Sequence, residues 1–215
     1  MRIFFFSFLL FQGLPFPPHE CFGKNEAVQV SPGEGDKEKV KASLQKLVDE
    51  FDYGPNDHCA IIVVESQRLY LLEGRRVRSV FPVSTSKYGV GGEANSNKTP
   101  PGTHRIEEKI GDKAPLGTIF RARGNTGKIA KIYTRPKDLH DDLVTTRILW
   151  LKGLEEGINS GKGVDSYKRM IYIHGTPEEG LIGQPASHGC VRLKNSDVVE
   201  TFSFLSLGSL VDIIK

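Results

Sequence analysis

The chain of 215 residues has no apolar run near the roughly 20 residues that a membrane-spanning helix needs. It also has no run of five or six like charges and no aromatic residues interleaved with basic ones. With 29 basic and 26 acidic residues its net charge is +3, too little for the electrostatic footprint of a nucleic-acid-binding surface. Nucleic acid is therefore excluded as a partner. Cysteine is scarce: three residues, an odd number that leaves at least one thiol unpaired in an oxidising compartment. No internal repeat is present. What remains is a globular composition, 38% hydrophobic and 26% charged, in a chain long enough for one ordinary domain and a short extension.

Met1-Arg2 followed by the short apolar run Ile3–Phe11, with Pro15, Pro17 and Pro18 behind it, reads as a secretory signal peptide over residues 1–23. Cleavage fits Cys21-Phe22-Gly23, with Gly13 as the other candidate. Lipid modification of Cys21 is disfavoured, because Pro18-His19-Glu20 are polar and bulky where small apolar residues are wanted. The expected location is the periplasm or cell envelope, with no transmembrane segment in the mature chain. Cys59 and Cys190 then remain. They could pair, but Cys59 opens the apolar run Cys59–Val64 and reads as a small buried core residue.

Residues 24–57 read as a linker and an amphipathic helix, ahead of a catalytic domain over 58–215. Gly, Pro, Ser and charge dominate from Gly23 to Asp36. From Lys37 to Phe51 the apolar residues Val40, Leu44, Leu47, Val48 and Phe51 recur at steps of three and four, with Asp36 as the candidate cap and Gly54-Pro55 as the stop. Short apolar runs divided by turn residues follow: Cys59–Val64, Arg68–Glu73, Val77–Ser84, Thr145–Leu151, Met170–His174 and Leu210–Ile214. They predict antiparallel strands. Glycine-rich loops are expected at 88–93 and 153–163, and a second helix over Ser196–Leu205 capped by Asn195 or Ser196. The sum is a mainly β domain, a sandwich or barrel with one or two flanking helices.

The chemistry concentrates between Ile173-His174-Gly175-Thr176 and Ser187-His188-Gly189-Cys190-Val191-Arg192-Leu193. A thiol is most nucleophilic as thiolate, and a neighbouring imidazolium stabilises that anion, so a Cys beside a His is the minimum for thiol catalysis. Gly189 removes bulk before Cys190, and the two backbone N–H groups could hold a developing oxyanion. His174 ends a buried strand. His188 lies two residues from the thiol and would project to the same side if the segment were extended. Spacing alone leaves either histidine as the base. A zinc site from His174, His188 and Cys190 is the other reading, but no fourth ligand is apparent. Ser84-Thr85-Ser86-Lys87 imitates a Ser-x-x-Lys nucleophile motif, yet it ends a strand instead of opening a helix and has no Lys-Thr-Gly partner.

The pattern of His174-Gly175, a loop, then Ser187-His188-Gly189-Cys190-Val191-Arg192-Leu193 and Asn195 resembles the L,D-transpeptidases, whose catalytic domain is named after YkuD. Thr99-Pro100-Pro101-Gly102-Thr103 resembles that family's Thr-Pro-x-Gly-Thr element, and the likeness covers about residues 58–215. It implies Cys190 as nucleophile and His174 as base, with the Gly175 carbonyl orienting the ring. His188 and the backbone of Gly189 and Cys190 would form the oxyanion site. Gly175, Ser187 and Arg192 would meet the substrate, Arg192 having a structural salt bridge as its alternative. The implied partner is the peptidoglycan stem peptide, with no cofactor and no metal; a monomer is expected. Three departures stand out: His104 where an aromatic is common, a long charged span over 124–168, and no separate peptidoglycan-binding module.

Overall fold

The computed structural model describes residues 33–139 and 141–215. The expected signal peptide, Cys21 and the linker up to residue 32 lie outside these residues. Two α-helices and ten strands follow in chain order: α1 (Glu34–Glu50), β1 (His58–Val63), β2 (Arg68–Glu73), β3 (Arg76–Pro82), β4 (Gly102–Ile110), β5 (Thr118–Arg121), β6 (Gly124–Ile129), β7 (Val144–Gly153), β8 (Tyr172–Gly175), β9 (Val191–Leu193), α2 (Asn195–Phe204) and β10 (Leu210–Ile214).

Helix α1 lays Val40, Leu44 and Leu47 against Cys59, Ile61 and Val63 of β1 and Tyr70 and Leu72 of β2, with Val48 and Phe51 partly buried beside them. Each fully buried aliphatic side chain contributes roughly 1.5–3 kcal/mol. Asp36 is not the cap. Gly33 occupies that position, and Asp36 sits in the first turn with its carboxylate buried, accepting hydrogen bonds from the Ser66 and Tyr70 hydroxyls at 2.6 Å each. A residue of the β1–β2 turn and one of β2 have claimed it in place of the helix N–H groups. The helix also ends ahead of Gly54-Pro55, at Phe51, where Asp52 turns to φ 54°.

The strands form one sheet in the order β3-β2-β1-β10-β4-β7-β5-β6, with β8 on β7 and β9 on β8. Because β8 overlaps the β7 residues that pair with β4 and with β5, those two strands share the opposite edge of β7. Most pairs are antiparallel as expected, but β1 with β10 and β8 with β9 are parallel. Beyond β3 the chain returns to the far end of the sheet: Ser84 and Arg192 exchange two backbone hydrogen bonds of 2.9 Å, and Ser86 bridges to Ser187. The path from β3 through β10 and β7 to β9 thereby closes on itself, in the manner of a small barrel. The Ser84-Thr85-Ser86-Lys87 stretch is this closure, with Ser84 Oγ buried.

The main core lies inside: Ala60 and Ile62 (β1), Leu69 and Leu71 (β2), Leu149 and Leu151 (β7), Ile173 (β8), Val191 and Leu193 (β9), with Val198 and Phe202 of α2. Helix α2 begins at Asn195 with Lys194 at the cap position, so Asn195 is not the cap. Its buried side-chain amide instead donates to the Thr176 carbonyl at 2.8 Å and to Glu179 at 2.7 Å, pinning the loop after β8. His104 on β4 is fully buried. Its Nδ1 donates to the Gly102 carbonyl and its Nε2 accepts from Ser166 Oγ, both at 2.9 Å, so the imidazole fills an aromatic-sized place with both nitrogens satisfied.

Candidate active site

Strands β8 and β9 run parallel with Ile173 opposite Val191 and His174 opposite Arg192. Side chains alternate along each strand, so Ile171, Ile173, Val191 and Leu193 enter the main core. The other parity, Tyr172, His174, Cys190 and Arg192, faces the opposite way. There Cys190 packs against Phe120, Ile148, Trp150 and Tyr172. Continuing the register puts Cys190 beside Tyr172, whose backbone N–H donates to Sγ at 3.4 Å. His174 is then the diagonal neighbour of Cys190, at about 7–8 Å between backbones, which the two side chains can span.

His174 is 1% exposed, and its Nδ1 lies 2.8 Å from the Gly175 carbonyl. A carbonyl only accepts, so Nδ1 carries the hydrogen and Nε2 keeps the lone pair of a base. Gly175 is held tightly: a Cβ there would meet Asn195 Oδ1 at 2.7 Å and the Thr145 carbonyl at 2.8 Å. Burial pulls His174 below its ordinary 6.5; the Asp142 carboxylate and the Gly175 carbonyl oppose this, and Arg192 adds to it. Burial pushes the Cys190 thiol up to about 12, Asp142 adds to that, and the Tyr172 N–H, Arg192 and Arg169 pull the other way. Both shifts favour an uncharged thiol and imidazole over a resting ion pair. Sγ has the Met170 carbonyl, at 3.5 Å, as its own acceptor.

The turn before Cys190 is tightly braced. Gly189 has φ 125°, so the segment is not the regular extended one on which His188 and Cys190 were expected to project together. Ser187 Oγ donates to the Cys190 carbonyl at 2.6 Å and accepts the Gly189 N–H at 3.2 Å. Fully buried Ser187 thus braces both sides of the turn and already engages the Gly189 N–H. Thr99 Oγ1 donates to the Gly189 carbonyl at 3.0 Å, which ties the Thr99–Thr103 element to the turn. Arg169 donates to the carbonyls of Gly92 at 2.9 Å and Lys98 at 2.6 Å, fixing the glycine-rich loop alongside.

Arg192 is 2% exposed, with its guanidinium 2.6 Å from Glu178 and 2.7 Å from Asp142. The geometry is that of the structural salt bridge; a substrate carboxylate would have to displace one of these partners. Burial drives the Asp142 carboxyl up, but Arg192, His174 and the hydrogen bonds from Arg192 and His188 outweigh it and hold it below the ordinary range. Asp142 also accepts from His188, at 3.1 Å from Nδ1 and 3.3 Å from the backbone N–H. Neither Asp142 nor Glu178 was visible in advance, because each lies in a loop and no spacing ties it to Cys190. The charged span does not stand away from the body: Tyr133 and Gly180 strap it to the loop after β8 through bonds of 2.7 and 2.9 Å. Cys59 is buried and unpaired, as expected of a core residue. Among the described residues no three His, Cys, Asp or Glu side chains are grouped as metal ligands.

Fold and site together define a barrel-like β protein with a Cys–His pair on its outer face. The chain matches the family YkuD, L,D-transpeptidase catalytic domain, over residues 58–213, and it belongs to that family. It is 26% identical over 161 residues to YqjB of Bacillus subtilis (strain 168), provisionally named an L,D-transpeptidase, covering 73% of this chain and 71% of that one. Solved structures resembling it include L,D-transpeptidase 3 from Mycobacterium tuberculosis with a faropenem-derived adduct, at 16% identity and TM-score 0.47 over 75% of this chain and 61% of that one. Another is the L,D-transpeptidase from Stackebrandtia nassauensis, at 19% identity and TM-score 0.44 over 82% and 67%. An L,D-transpeptidase from Mycobacterium smegmatis aligns at 16% identity and TM-score 0.44 over 74% of this chain, which spans only 59% of that one.

Proposed function

We propose that this protein is an exported cysteine acyltransferase of the bacterial cell wall, using Cys190 as nucleophile and His174 as base on peptidoglycan stem peptides. The observation that carries the reading is the shared face of β8 and β9: one buried imidazole with a free Nε2 and one thiol, diagonal neighbours on a rigid sheet. In the first half-reaction the Cys190 proton passes to His174 Nε2 as sulfur attacks the carbonyl of diaminopimelate in a tetrapeptide stem. The bond to the terminal D-Ala breaks, His174 returns its proton to the leaving amine, and a thioester remains. An amine of a second stem then resolves the thioester. With the Gly189 N–H engaged by Ser187, the Cys190 N–H is the backbone donor left for the oxyanion. The charged start and apolar run of residues 1–11 support export to the periplasm or cell envelope. Among the described residues no helix is long and apolar enough to cross a membrane.

Incubation of the purified protein with disaccharide tetrapeptide, read by mass spectrometry, tests this. A cross-linked dimer with loss of D-Ala is expected. A tripeptide alone would make the enzyme an L,D-carboxypeptidase, with water as acceptor. A carbapenem should add to the intact mass of the protein but not to that of Cys190→Ala. An adduct that persisted on Cys59 would overturn the assignment of the nucleophile.

A further inference from the structure

The histidine not used above is held by a carboxylate in a manner that a passive surface residue does not require. One oxygen of Asp142 takes both the ring Nδ1 and the backbone N–H of His188, at 3.1 and 3.3 Å, while the other oxygen lies 2.7 Å from Arg192. Arg192 is in turn fixed by Glu178, so the carboxylate is anchored before it meets the imidazole. A carboxylate only accepts, so Nδ1 carries the hydrogen and Nε2 of His188 is left with a free lone pair. The two imidazoles differ in access. His174 is buried, whereas His188 borders a cleft of about 610 Å³ lined also by Asn95, Asn97, Asp165, Lys168 and Arg169. Met170 lines that cleft as well, and its carbonyl lies 3.5 Å from the thiol of Cys190.

We infer that Asp142 and His188 form a second acid–base pair, with Asp142 the positioning residue that holds His188 to receive the proton of the primary amine resolving the thioester. The inference rests on the acyl-enzyme reading above. In this step the amine nitrogen attacks the thioester carbonyl and its N–H proton passes to His188 Nε2. The C–S bond breaks, and the departing sulfur recovers that proton as the thiol. His174 serves the first half-reaction and His188 the second, each from its own side of Cys190.

The test separates the half-reactions in the purified protein. Acylation is timed by intact mass with a carbapenem; resolution is timed by decay of the Cys190 thioester formed from disaccharide tetrapeptide, with tetrapeptide amine as acceptor. His188→Gln should slow resolution roughly 30- to 100-fold, so that the thioester accumulates, while carbapenem acylation changes by less than about threefold. D142N should slow resolution as much, and its added effect on acylation is the one expected from the carboxylate's action on His174 and Cys190. Together they should be no slower than either alone, because they disable one unit. If D142N proves too unstable to purify, His188→Gln carries the test, since it leaves the Asp142–Arg192 pair intact. Equal slowing of both half-reactions in His188→Gln would return His188 to an oxyanion role and overturn the inference, as would unchanged resolution or multiplicative effects in the double variant. A wild-type protein that no carbapenem acylates at Cys190 would instead sink the thiol reading on which it rests.

Discussion

At the scale of single residues, the state of Cys190 sets how the enzyme must be switched on. Its thiol is pushed up to about 12 while burial holds His174 below 6.5, so proton transfer between them is unfavourable until substrate supplies an electrophile and displaces water. Iodoacetamide alkylation of Cys190 in the free protein should therefore keep rising with pH through 9, measured in a Cys59→Ala background. A plateau between pH 5 and 8 would reveal a resting ion pair instead. The conformation of Gly189 is the second single-residue determinant. A Cβ there would find only ordinary contacts, 3.4 Å to Ile171 and to the Lys98 carbonyl, but φ 125° is open to glycine alone. Gly189→Ala is expected to cost about 1–3 kcal/mol of local strain. Because Ser187 and Thr99 brace the turn, relief should come by shifting Cys190, so carbapenem acylation should fall at least tenfold while most of the thermal stability is kept.

At the scale of elements, β4 carries a pH-sensitive residue inside the barrel wall. Burial holds His104 down to about 4, although the Gly102 carbonyl and Glu155 pull it up. The unfolded chain takes up this proton near pH 6.5 and the folded one only near 4. Stability is thus full above about 6.5 and is lost as pH falls towards 4, by about 3 kcal/mol for this residue. His174, also lowered by burial, adds to the loss with the same sign. Urea unfolding at pH 7 and 4.5 should show His104→Phe less stable than the parent at neutral pH, where Ser166 loses its partner, but with a shallower acid decline; an unchanged decline would mean that His104 is not the group responsible. The same strand explains part of what pattern reading does not see. Runs such as Arg68–Glu73 and Leu210–Ile214 announced themselves as strands because their side chains are buried, but β4 reads as charged because Arg105, Glu107, Glu108 and Lys109 share it with Thr103, His104 and Ile106. Strand β6, Gly-rich and mostly exposed, has no apolar alternation at all. Cys190 and His174 stand out as candidates in the sequence because thiol, imidazoles and glycines crowd one short stretch. Asp142 was not, since only the folded chain brings it to His188 and Arg192.

At the scale of the molecule, the family match begins at residue 58, yet the folded unit begins at α1. The amphipathic helix stands ahead of the matched residues in the sequence and packs its apolar face on β1 and β2 in the fold. Strand β1 is buried on both faces, Ala60 and Ile62 towards the main core and Cys59, Ile61 and Val63 towards α1. Without the helix that second face would meet water. The attachment is also polar: Ser43 donates to Asp212 of β10 at 2.6 Å, and Lys46 reaches Glu155 at 2.5 Å, whose carboxylate accepts the Thr103 N–H at 2.5 Å. Helix, C-terminal strand and the Thr99–Thr103 element are thereby joined, and Thr99 leads on to the turn at Cys190. A protein cut at residue 57 should therefore fail to fold as a monomer, although it retains the whole family match. Leu47 gives the graded version. It is fully buried, so Leu47→Ala should cost about 2–5 kcal/mol in urea unfolding. Carbapenem acylation of the fraction still folded should stay near the parental rate, because the cavity lies on the face of β1 away from Cys190. If the truncated protein instead unfolded cooperatively at parental urea concentrations, α1 would be an appendage and the polar attachments of Ser43 and Lys46 incidental to stability.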